Sequence, residues 1–269
     1  MINMAIDYVI DYDCVPKQTI GTDGILERLK SRERAEMIIR MFRENGDDRP
    51  PSEMGFEFTR STPEGEEETQ LIVVQDILDF VADLNPVSHH CQGCPANRTG
   101  TPFGCTGFIQ YPISGEGEAW LLNQLPGVNE PLIWLLLKQG VEGFNYDGAT
   151  ISRLRAQGDT YFEDKFGATR FLGEFSLNAN QIFEMIFMVG DIIPNHGAIM
   201  LLFYNAIERS ELQANEIMAL APADDEKVKK HPFLHQIMQG DDRTIAELKE
   251  FFNAVYIAWA LNVQVKIDA

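Results

Sequence analysis

The chain has 269 residues, 45% of them hydrophobic, with 41 acidic against 22 basic side chains and a net charge of -19. Its length admits one large domain or two modest ones, and its apolar content supplies a core. So acidic a surface disfavours nucleic acid and anionic membranes, and it favours a basic protein as any macromolecular partner.

No stretch reaches the roughly 18 apolar residues of a spanning helix. The compact run 132–137 reads as a buried helix. The opening MINMAIDYVIDYD has no basic n-region, so no signal peptide is expected and a cytoplasmic setting follows. In a reducing cytoplasm, clustered cysteines serve metal or redox chemistry more often than structural disulfides.

Ile6, Tyr8, Ile10 and Tyr12 alternate with Asp7, Val9, Asp11 and Asp13, the period of a strand. Gly21-Thr22 opens a helix whose apolar positions Ile25, Leu29, Ala35, Ile38, Ile39 and Phe42 hold the 3.6 period, and Asn45-Gly46 stops it. Phe56 and Phe58 alternate up to about Arg60, Thr62-Pro-Glu-Gly65 signals a turn, and Leu71-Ile-Val-Val74 is β-branched, which together predict a hairpin. Glu66-Glu-Glu68 reads as a solvated charge run. A short helix carries Ile77, Leu78, Val81 and Leu84, and a Gly- and Pro-rich loop follows from about 86 to 105. Phe108, Ile109, Tyr111 and Ile113 then predict a fourth strand.

The order strand, helix, strand, strand, helix, strand is that of the ferredoxin-like split β-α-β arrangement. The expectation is therefore an α+β fold: a ferredoxin-like lobe at 1–114 with an inserted Cys-rich loop, then a mainly helical lobe at 115–269. In the second lobe, Ser114 is placed to cap a helix through Leu125, and Asn129 another through Gln139. Residues 141–175 resist assignment. Asn178 with Gln181 can cap an apolar helix, Gly190 to Pro194 breaks it, and a second runs to about Ile207. Residues 220–230 read as a charged loop, and Thr244 with Glu247 as a capping box. The tail 262–268 alternates as a strand that adds to an edge of the first sheet and ties the lobes together.

Three of the four cysteines, Cys91, Cys94 and Cys105, fall in the 86–105 loop, and Cys14 follows the first strand. If the last strand of the ferredoxin-like order lies antiparallel beside the first, Cys14 meets the other three at one sheet edge. Four thiolates can close a tetrahedral zinc site, and the same ligands suit an iron-sulfur cluster. Zinc is preferred because a closed Cys₄ site needs no assembly machinery. Arg98 is placed to offset thiolate charge, and His89 or His90 to replace a cysteine. A redox pair at Cys91 and Cys94 is the alternative to a metal, although thioredoxin-like pairs open a helix after a strand, which Pro95 and a polar loop fit poorly.

The reading that follows is a cytoplasmic metal-binding protein with a Cys14, Cys91, Cys94, Cys105 site, most simply structural zinc supporting an interaction role. An iron-sulfur protein in electron transfer is the alternative. A third version is an enzyme with a pocket around His196, near Asp191 and Glu184. His231 and His235 have helical i, i+4 spacing but no glutamate between them as a metalloprotease needs. No phosphate loop, Gly-x-Gly-x-x-Gly run or Gly-x-Ser-x-Gly elbow is present.

Overall fold

A computed structural model describes residues 5–61, 67–173, 175–210 and 212–268. The turn expected at 62–65 and Glu66 of the acidic run lie outside these residues, as do the side chains of 58–61, 67 and 68.

In chain order the elements are β1 (Ala5–Ile10), α1 (Val15–Ile20), α2 (Thr22–Glu44), β2 (Gly55–Ser61), β3 (Glu67–Val73), α3 (Val74–Val81), α4 (Asn85–Ser88) and β4 (Thr106–Gln110). There follow α5 (Gly115–Gln124), α6 (Pro131–Gly143), α7 (Ala149–Arg155), β5 (Thr169–Leu172), β6 (Phe175–Asn178), α8 (Ala179–Phe187) and α9 (Pro194–Phe203). The chain finishes with α10 (Ala214–Met218), α11 (Asp225–Lys230), α12 (Arg243–Ala260) and β7 (Val265–Asp268). None of the helices among the described residues is long and apolar enough to cross a membrane.

The fold is α+β. Strand β1 lies between β4 and β7, antiparallel to both, in a three-stranded sheet. The expected pairing of first and fourth strands is present, with Tyr8 opposite Gly107. So is the expected closing strand: β7 pairs with β1 from Asp7–Asp268 to Ile10–Val265. The ferredoxin-like arrangement would place β3 beside β1, but β2 and β3 form a separate hairpin sheet and β7 holds that edge.

Both faces of the sheet are covered, which explains why Val9 is buried and blurs the alternation of β1. Helix α12 packs across β4 and β1 on the face of Tyr8, whose ring meets Phe251 edge-on at 5.2 Å. Helix α2 covers the other face, where Lys30 contacts Asp7 at 2.8 Å. Along its length α2 serves three apolar clusters: Leu26 packs in the main core, Ile25 and Leu29 pack against Val81, Leu84, Cys91 and Phe103, and Ala35 meets Met54 and Val74.

A β-carbon at Gly107 would stand 2.4 Å from the Tyr8 ring. That ring is 1% exposed and held between Phe251 and the Arg98 guanidinium, so it has nowhere to retreat. Gly107→Ala is therefore expected to lower unfolding free energy by about 1–3 kcal/mol, the usual cost of overpacking. Urea denaturation checks this, and an unchanged midpoint would mean that the ring yields freely.

Local signals account for several helix starts. Ser114 Oγ accepts from the Gly117 amide and caps α5. Asn178 and Gln181 form a reciprocal capping box on α8. At α12 the cap is Asp242, which accepts from the Ile245 amide at 2.9 Å. The expected box is not formed there: Thr244 Oγ1 accepts from the Ser114 amide, and Glu247 accepts from the Gln110 amide. The unassigned stretch 141–175 contains α7 and β5, and the expected loop at 220–230 contains α11, capped by Asp224.

Candidate functional site

All four cysteines line one small cavity, together with Lys17, His90, Asn97 and Phe103. The antiparallel pairing of β1 and β4 makes the juxtaposition. Chain leaving β1 turns at Cys14 into α1, and chain entering β4 arrives through Cys105, whose carbonyl accepts from the Ile10 amide at 3.0 Å. Cys91 and Cys94 enter from the loop, on a one-turn 3₁₀ helix over His89–Cys91 and the turn after it. All four thiols are free, with Cys91 and Cys105 buried and the other two half-buried.

The metal-binding function expected for Cys14, Cys91, Cys94 and Cys105 is overturned by this geometry. Among the described residues no group of three or more His, Cys, Asp or Glu side chains is placed to hold a metal ion. Zinc-sulfur bonds of about 2.3 Å require a closed set of thiolates around one point. Here the sulfurs face a cavity of about 10 Å³, close to the room one water needs. The buried Lys17 also lines that cavity and donates from Nζ to the Ile10 carbonyl, with Asp11 3.9 Å away. Burial pushes the Cys105 thiol up to about 11 and raises Cys14 as well, against the opposing pull of Lys17 on both.

Arg98 pairs with Glu250 of α12 and donates to the Thr106 carbonyl, tying the loop to the main core. His89 and His90 are exposed, their tilted rings 3.9 Å apart between centres, and His90 lines the cysteine cavity.

The version with an enzyme pocket around His196 is likewise corrected. His196 and Asp191 are exposed. Buried Glu184 accepts from the amides of Gly148 and Thr150, both at 2.7 Å, and so fixes the start of α7. The three groups do not converge. His231 and His235 do not share a helix, since α11 ends at Lys230. His235 Nε2 lies 2.9 Å from the Tyr204 carbonyl, and its ring packs against Trp120. Burial lowers the pKa of both histidines.

A second, much larger cavity lies where α2 faces α7 and the end of α8. Its volume is about 680 Å³, inside the range of about 300–1,000 Å³ usual for small-molecule sites. The apolar lining includes Ile6, Phe108, Tyr111, Leu154, Phe162 and Phe187. The α2 wall presents Lys30, Glu33, Arg34, Met37 and Arg40. Lys30 is neutralised by Asp7 at 2.8 Å and Asp268 at 2.6 Å. Arg34 and Arg40, on either side of Met37, have no hydrogen bond or ion pair among the described residues. Burial raises the carboxyl group of Asp7, and it pushes the Tyr111 phenol up to about 12. Tyr111 meets Tyr161 edge-on at 5.0 Å.

No motif marks these cleft residues. One available signal was charge: α2 holds six of the chain's 22 Lys and Arg residues, a basic concentration in a protein of net charge -19. Comparison with protein families, with curated proteins and with solved structures finds no match for this chain.

Proposed function

We propose that the protein binds a small amphipathic anion, an apolar or aromatic body bearing a carboxylate or phosphate, in the cleft between α2 and the α7–α8 side. The observation that carries this reading is the pairing of a 680 Å³ apolar-lined cavity with two unpartnered arginines on one wall. Apolar lining supplies affinity through area removed from water. A few polar groups fix orientation. Arg34 and Arg40 take the anionic end by charge-assisted hydrogen bonds, in which a guanidinium fork matches carboxylate or phosphate oxygens. The Asp7–Lys30–Asp268 group stands at the other end of the wall, where its two carboxylates turn the anion toward the arginines.

The remaining acidic surface favours a basic protein as macromolecular partner and keeps nucleic acid and anionic membrane away. The cytoplasm suits four free thiols.

Calorimetric titration with a panel of aromatic and fatty carboxylates, each beside its neutral amide, tests the reading. Carboxylates are expected to bind more tightly than their amides. The Arg34→Ala/Arg40→Ala double variant is expected to lose about tenfold or more in affinity, as removal of charge-assisted hydrogen bonds predicts. Equal binding by the double variant, or heat from no member of the panel, would refute it.

A further inference from the structure

Cys91 and Cys94 occupy the two ends of a single tight turn. The Cys94 amide donates to the Cys91 carbonyl at 3.3 Å. Between them Gln92 has φ -68° and ψ 124°, and Gly93 has φ +73°. This is the type II pattern, whose third position needs a left-handed residue, and that need explains the glycine. Asn97 clamps the turn from outside: its side chain donates to the Cys91 carbonyl at 2.9 Å, and its amide donates to the Cys94 carbonyl at 3.0 Å. A turn of this kind keeps its terminal Cα atoms within about 7 Å, and a disulfide spans Cα separations of about 4.4–6.8 Å. Both side chains line the same cavity, so they share a direction as well as a distance.

The geometry points to Cys91 and Cys94 as a reversible redox pair that closes to an intrachain disulfide, with a low-molecular-weight disulfide of the glutathione type as oxidant. Cys94 is the more exposed of the two and reacts first. Its thiolate attacks one sulfur of glutathione disulfide; the S–S bond breaks and one glutathione thiolate leaves. The Cys91 thiolate then attacks Cys94 Sγ, which expels the second glutathione thiolate and leaves the Cys91–Cys94 bond. The protein gives up two electrons and two protons, and two glutathione thiols carry them away. Cys105 stands outside this turn, buried at the start of β4. The site differs from a thioredoxin-type pair because its turn follows a 3₁₀ helix and opens no new one.

The test uses the full-length protein equilibrated in glutathione buffers of increasing oxidised fraction, then acid-quenched, alkylated and cut with trypsin. The chain cuts conveniently: peptide 61–98 holds Cys91 and Cys94, 1–17 holds Cys14, and 99–138 holds Cys105. Oxidation is expected to leave peptide 61–98 lighter by two hydrogen atoms and unalkylated. Cys14 and Cys105 stay alkylated, far-ultraviolet circular dichroism is unchanged, and dithiothreitol reverses the mass shift. Cys91→Ser is expected to accumulate a glutathione adduct at Cys94 that the native chain does not. A cross-link between 1–17 or 99–138 and 61–98 would overturn the assignment. So would a stable glutathione adduct on the native chain, or full alkylation throughout. The peptide map of the native chain decides the matter even if the variant fails to fold.

Discussion

Arg155→Met is expected to destabilise the fold by about 3–5 kcal/mol, because it leaves the Glu118 carboxylate buried without its counter-charge. Glu118 is 0% and Arg155 2% exposed in the side chain, and their nearest atoms are 2.6 Å apart. That approach is an ion contact more than an aligned hydrogen bond. The guanidinium does further work: Nε donates to Asn180 Oδ1 at 2.6 Å, Nη1 donates to the Asp164 carbonyl at 2.9 Å, and the group lies 4.0 Å from the Phe162 ring centre. Glu118 Oε2 in turn accepts from the Ala168 amide at 3.1 Å. One pair thus joins α5, α7, α8 and the loop between α7 and β5. Burial raises the Glu118 carboxyl even with Arg155 beside it, so the unpaired carboxyl is expected to take up a proton in the variant. The double variant Arg155→Met/Glu118→Leu is expected to recover part of the loss, since a buried ion pair replaced whole by apolar groups costs far less than one broken. Urea unfolding followed by circular dichroism measures both. A single variant within about 0.5 kcal/mol of the native chain would show that water reaches the pair.

Trp259→Ala is expected to cost about 3–5 kcal/mol, the range for deleting a large buried aromatic. Trp259 is fully buried on α12 and meets Tyr256 at 5.5 Å between ring centres. Its indole N–H donates to the Leu220 carbonyl at 2.9 Å, fastening the segment before α11 to the helix. Trp259→Phe keeps most of the packing and removes the donor, so it is expected to cost about 1–3 kcal/mol through the orphaned carbonyl. The same urea measurement separates the two contributions. If Phe and Ala cost alike, the hydrogen bond dominates and the cavity collapses.

Local chemistry made several elements legible. Ser114 and Asn178 are caps because a short side-chain acceptor just before a helix is placed to accept from the free amides of its first turn. Thr244 misled because Asp242, two positions earlier, is the stronger acceptor and took the cap, which left the threonine hydroxyl to bond across to Ser114. Strand partners were harder. The alternation of β1 and β4 marked them as strands, but nothing local distinguishes one antiparallel partner, β3, from another, β7, some 190 residues further on.

The cysteines show the same limit at finer scale. Topology drew Cys14 and Cys105 to one end of the sheet, where β1 leaves and β4 enters, yet a metal site depends on sulfur placement at the level of tenths of an ångström. It also depends on Lys17, whose entry into the cavity follows from the first turn of α1, a helix with no sequence signal beyond Pro16. The cleft was invisible for a related reason: Arg34 and Arg40 sit on one helix, Phe162 and Phe187 on segments more than a hundred residues away, and only folding brings them to a common wall.

The place of β7 beside β1 governs how a ribosome delivers this fold. Strand β1 is synthesised well before β7 and has its second neighbour only when residues 265–268 have left the exit tunnel. Until then the nascent polypeptide carries one bare strand flank, an invitation to sticky encounters with other chains. Translation therefore cannot hand over this sheet piece by piece, and its completion waits on a pairing that spans some 255 positions of the chain.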